Sequence, residues 1–163
     1  KEDTINWITT VVKEIKNMGF NEVVLTDFRF PDTDKIRFDG DKDAALAEAA
    51  ARLLNACGSK DFAVSFEVAN TNFTLPEGRS RMYLENISAT NVSLAASQVE
   101  ETITDPAIHL VFIAETNDSR FSNYSCLRPI TTSTAMEAQK AVIAAQKAQE
   151  EAENRKTSGG RYN

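Results

Sequence analysis

The chain has 163 residues, 42% of them hydrophobic, and a net charge of −6. Those values suit one globular domain with a real core. No apolar run reaches the roughly 20 residues of a membrane-spanning helix, and an acidic chain without a basic stripe argues against nucleic acid. The first residues, Lys1-Glu2-Asp3, carry no signal-peptide pattern. With no initiator Met and a start at a helix cap, the chain reads as part of a longer protein.

A helix is expected first, capped by Asp3 or Thr4, with Ile5, Ile8, Val12 and Ile15 at helical spacing. Gly19 reads as the left-handed residue that ends it, and Phe20 as the apolar contact of a Schellman motif. A strand Val23 to Phe28 follows, stopped by Pro31. After a polar loop, a second helix puts Leu46, Ala49, Ala50, Leu53 and Leu54 on one face, beside Cys57. Gly58 should end it as Gly19 ends the first, and a strand Phe62 to Val68 comes next. This helix–Gly–strand order, used twice, is the pattern of parallel α/β proteins.

Residues 69–80 show no helical pattern, so they form either a thin crossover between parallel strands or a strand–loop–strand excursion. A strand Met82 to Ile87 precedes a helix capped by Asn91, with Val92, Ala95, Ala96 and Val99 on one face and Asp105-Pro106 closing it. The last strand is Ile108 to Ala114, followed by a polar loop from Glu115. His109, the only histidine, excludes a His-rich zinc site and lies at the N-terminal end of its strand, where a structural role is expected. Cys57 and Cys126 lie outside any Cys-x-x-Cys pair and read as free thiols. Beyond residue 130 the composition turns to Ala, Gln, Glu and Lys, which reads as a surface helix or linker with a flexible tail. The domain organisation expected is therefore 1–130 and 131–163. The five Asn-x-Ser/Thr sites at Asn72, Asn86, Asn91, Asn117 and Asn123 would matter only in a eukaryotic secretory route and read as coincidence.

The four strands end on or beside Asp27, Glu67, Glu85 and Glu115. In a βα barrel the strands are parallel, so these acids would share the C-terminal rim where barrel enzymes work. Two carboxylates across a cleft are the minimum for glycoside hydrolysis; acids gathered simply where strands meet solvent are the other reading. Alternation puts Val23, Leu25 and Asp27 on one face of the first strand, and Ala63, Ser65 and Glu67 on one face of the second. Both acids are thus expected to point inward. Glu85 shares parity with Arg81 and Tyr83, which suggests an ion pair, and Glu115 shares it with Val111 and Ile113. Phe28, Phe30, Phe73 and Tyr124 are candidate sugar platforms near the rim, each with core or loop packing as the alternative.

The segment Met18-Gly19-Phe20-Asn21-Glu22-Val23-Val24-Leu25-Thr26-Asp27-Phe28-Arg29-Phe30-Pro31 resembles the Gly-Phe-x-Glu and Asp-aromatic-x-Arg-Phe-Pro block of a bacterial glycoside-hydrolase-like family of α-amylase-like (β/α)8 barrels. The likeness continues more loosely to Pro129 and covers about residues 4–130. It implies the C-terminal half of a TIM-type barrel, with the N-terminal half missing from this chain. It also implies Asp27 as nucleophile, Glu67 as general acid and Glu115 as a third, stabilising carboxylate. Arg29 would stand beside Asp27 or tie down the next loop; Phe30, Glu85 and Tyr124 would contact substrate. The implied partner is a polysaccharide or glycan, the implied location extracellular or in the cell envelope, and no metal or cofactor is called for. Alternative functions are a non-catalytic carbohydrate-binding or cell-envelope barrel, or a structural fragment inactive alone.

Overall fold

In a computed structural model the described residues are 2–33, 35, 37–85, 87, 88, 90–100, 102–114, 118–128, 140–145 and 147. The chain divides into two compact units, Lys1–Arg128 and Pro129–Asn163. Of the second, only residues 140–145 and 147 are described, all helical. Among the described residues, no helix is long and apolar enough to cross a membrane.

The first unit runs α1 (Glu2–Asn17), β1 (Glu22–Leu25), α2 (Lys42–Cys57), β2 (Ala63–Val68), β3 (Met82–Leu84), α3 (Val92–Glu100), a helical turn α4 (Pro106–His109), β4 (Leu110–Ile113), a 3-10 turn (Ser119–Phe121) and β5 (Ser125–Leu127). The strands form one sheet in the order β1-β2-β3-β4-β5, with every pair parallel. Crossovers between parallel strands share one hand, so an order that never reverses places every connection on the same face. The core agrees. Val64, Phe66 and Val68 of β2, Met82 and Leu84 of β3, and Leu110 and Phe112 of β4 form one cluster with Val12, Leu53, Leu54, Val92, Ala96 and Val99 from the helices.

The connection from β2 to β3 has no helix, yet it does a helix's work. Phe73 and Leu75 are buried in the same cluster, and Phe73 packs on Phe66 with ring centroids 5.7 Å apart. Of the two readings of residues 69–80, the thin parallel crossover is the one observed.

Several local expectations need correction. α1 begins at Glu2, so Asp3 and Thr4 lie in its first turn; there Asp3 complements the positive end of the helix instead of capping it. α2 is capped by Asp41, whose carboxylate accepts from the N–H groups of Asp43 and Ala44. Gly19 is left-handed at φ 92° and donates its N–H to the Lys16 carbonyl at 3.0 Å, while Phe20 is 56% exposed. The Asn21 carbonyl accepts from Ala63 N–H at 2.8 Å, which pulls the chain into the sheet at once. Gly58 is not left-handed: its φ is −61°. It is glycine because a Cβ there would stand 2.7 Å from the Leu54 carbonyl oxygen. Gly58→Ala should therefore destabilise the unit by about 1–3 kcal/mol, measured by urea unfolding; an unchanged midpoint would mean that α2 retreats without cost.

β3 stops at Leu84 and β4 starts at Leu110, because Pro106 opens a helical turn that takes in Ile108 and His109. β5 went unforeseen, being three exposed residues with no alternation to read. Asn91 contributes its backbone carbonyl, which accepts from Ala95 N–H at 2.9 Å. Both cysteines are free, Cys57 buried and Cys126 exposed. Burial pushes the Cys57 thiol up, with Lys13 and Lys16 opposing. His109 Nδ1 lies 2.8 Å from the Ser80 carbonyl, which can only accept, so Nδ1 carries the proton and the ring ties β4 to the start of β3.

Candidate functional site

The face opposite the helices carries Glu22 from β1, Ala63, Ser65 and Glu67 from β2, and Tyr83 from β3, by alternation with the core-facing residues. Its C-terminal end is where the acids gather. Glu67 pairs in register with Tyr83, and Glu85 follows β3 by one residue, its N–H donating to the Val68 carbonyl at 3.2 Å. Among the neighbouring acids, Glu85 is the one that acts most strongly on Glu67.

The Glu67 carboxyl is held above its ordinary value: burial is the largest cause, followed by Glu85 and then the charge of Asp27, with Arg29 opposing. These four residues are thus brought together as one electrostatic cluster at the end of β1, β2 and β3.

Asp27 reaches the cluster by a route that alternation does not predict. Val23 and Leu25 pack against the core, so simple alternation would send Asp27 towards the helices as well. Instead Asp27 adopts a left-handed conformation at φ 55°, and Arg29 N–H donates to its carbonyl at 2.8 Å. Phe28 N–H donates to the Glu67 carbonyl at 3.0 Å, which pins the turn to β2. A non-glycine residue held left-handed is a mark of local constraint, and such constraints collect at functional sites. Arg29 Nη2 lies 2.7 Å from Asp27 Oδ1, with 71% of the Asp27 side chain exposed. The pair is open to solvent and not a buried structural bridge.

Other expected members do not join. Glu115 lies outside the described residues. Phe30 packs on Phe38 with centroids 4.8 Å apart, has Lys42 Nζ 5.9 Å from its ring, and lines an apolar groove of about 350 Å³ with Ile5, Ile8 and Leu46. That groove lies between α1 and α2, on the helix side. Tyr124 sets its ring edge against Phe112 at 5.3 Å; because Phe112 is a core residue, Tyr124 packs behind the sheet and not beside the acids. Phe28 and Phe73 likewise stack with Phe66 in the core. The expected Arg81–Glu85 pair is replaced: Arg81 Nη1 lies 2.6 Å from Glu22 Oε2.

Tyr83 is the aromatic that does stand beside the acids, and it was missed as a site residue. Burial first, then the charge of Glu22, raises its pKa, with Arg81 opposing. The shared parity of Arg81, Tyr83 and Glu85 was the available signal; its position next to Glu67 needed the register. Among the described residues, no group of three His, Cys, Asp or Glu side chains is placed to hold a metal ion. The cluster sets a carboxyl with a raised pKa, Glu67, near a cation-paired one, Asp27, which is equipment that general acid–base chemistry can use. No family model, curated protein or solved structure matches this chain.

Proposed function

We propose that this chain supplies five strands of a (β/α)8 barrel that hydrolyses glycosidic bonds, with Glu67 as general acid and Asp27 as the partner carboxylate. The observation that carries the reading is the gathering of Asp27, Glu67 and Glu85 at the C-terminal end of parallel strands, where burial and Glu85 hold the Glu67 carboxyl above its ordinary value. Glycoside hydrolysis asks for one acid kept protonated and one carboxylate kept ionised, and unlike surroundings separate such roles. Glu85 stabilises the proton on Glu67, and Arg29 orients Asp27.

The barrel itself is supported by the unreversed strand order, which doubly wound sheets do not have. β1 and β5 are the ends of the order, and an eight-stranded closure leaves three strands to come from outside this chain. α1, beside β1, exposes Trp7 away from its core-facing Ile5, Ile8 and Val12, and Met18, just past its end, is exposed as well. A further helix and strand packed there would cover both these residues and the edge.

The test is Asp27→Asn in the full-length protein, assayed on neutral polysaccharides. The expected result is an intact fold and turnover reduced by at least about 100-fold, because the charge is lost and the shape kept. Turnover equal to the parent's would dismiss Asp27 as a reacting group. Glycan binding without turnover in the parent would leave the non-catalytic sugar-binding reading instead.

A further inference from the structure

We propose that a cavity at the N-terminal end of β3 and β4 binds a short alkylammonium ion, through acceptors on His109, Glu77 and Thr102. The acids of the candidate site lie at the opposite end of the sheet, so this site stands apart from the hydrolase reading.

The cavity has a volume of about 230 Å³. The crossover from β2 to β3 contributes Leu75 and Glu77, the segment after α3 contributes Thr102 and Ile103, and His109 borders it just before β4.

Three of its polar side chains are left as acceptors. His109 Nδ1 donates to the Ser80 carbonyl at 2.8 Å, so the neutral ring keeps a lone pair on Nε2. Thr102 Oγ1 donates to the Val99 carbonyl at 3.1 Å, which commits its hydrogen and leaves its lone pairs. An ionised Glu77 accepts and cannot donate. Thr104, also in the wall, can do either. An occupant must therefore bring the hydrogens.

Charge selects among donors. Glu77 is negative, and among the described residues no Lys or Arg lines the cavity. Arg79, two residues on, is engaged elsewhere: its Nη1 donates to the Lys60 carbonyl at 2.8 Å. An anion is thus repelled, while an ammonium brings a positive charge and several N–H donors to a wall of acceptors. Leu75 and Ile103 belong to the buried core and give apolar surface for a few methylenes. A metal ion is less suited, because among the described residues no third His, Cys, Asp or Glu joins His109 and Glu77.

Titration of n-butylammonium into the full-length protein tests this at about pH 8, where alkylammonium ions are charged and imidazole is ordinarily neutral. The readout is the nitrogen-15 resonance of His109 Nε2, assigned by its absence from His109→Asn. It should move towards the protonated range with a Kd of about 1 mM, within reach of so small a ligand. Two controls separate the recognition: n-butanol has the stem without charge, and butyltrimethylammonium has the charge without N–H. Each should bind at least about tenfold more weakly, and Glu77→Gln should weaken n-butylammonium by about tenfold or more. A resonance that stays in place up to about 20 mM n-butylammonium overturns the proposal. Equal binding of either control, or undiminished affinity in Glu77→Gln, overturns it as well.

Discussion

Phe66→Ala is expected to cost about 3–5 kcal/mol, the range for emptying a large aromatic site in a core. Folded domains are stable by only about 5–15 kcal/mol, so the variant should lie near the edge of folding. Phe66 has no exposed surface and holds two other rings, Phe28 at 4.7 Å and Phe73 at 5.7 Å. Those rings belong to the turn carrying Asp27 and to the helix-less crossover from β2 to β3, so both loops lose their anchor together. Equilibrium unfolding in urea measures the loss. A cost below about 1 kcal/mol would show that the loops collapse into the space, against the crossover acting as a packed substitute for a helix.

On the proposed hydrolase function, Glu67→Gln should reduce turnover by about 100- to 10,000-fold, the usual contribution of a positioned proton donor. It should also make the fold more resistant to alkali. The folded state raises the Glu67 carboxyl above its unfolded value of 4.5, through burial first and then Glu85. The folded chain thus binds that proton more tightly than the unfolded one, and the contribution to stability is complete below pH 4.5 and lost as pH rises through the folded midpoint. Glutamine keeps the shape and cannot ionise, so the variant should gain on the parent between pH 4 and pH 7 in urea midpoints. A parent–variant difference that is the same at both pH values would contradict a raised Glu67 carboxyl.

Much of the architecture was legible from local pattern. The helical spacing of Ile5, Ile8 and Val12, the apolar face of α2, and the runs Ala63–Val68 and Leu110–Ile113 each marked an element and its buried side. The helix–Gly–strand order implied parallel pairing, which is what the sheet has. Glu67 and Glu85 were placed on the correct face by alternation alone, since it is unbroken along β2 and β3. For Asp27 alternation gives the wrong direction: Val23 and Leu25 face the core, and the left-handed turn after Leu25 sets Asp27 near Glu67.

Tertiary structure decided everything that depends on which strand lies beside which. Phe30 and Tyr124 sit near the acids in the chain but behind the sheet in space, because their neighbours Phe38 and Phe112 draw them there. Arg81 and Glu85 flank the same strand, yet Arg81 bonds Glu22, 59 residues away, because register sets Ser65 between them. Alternation is a local property of a strand and can be read from a few residues. Register, and with it the partner of each charge, is a relation between strands that no single stretch of sequence contains.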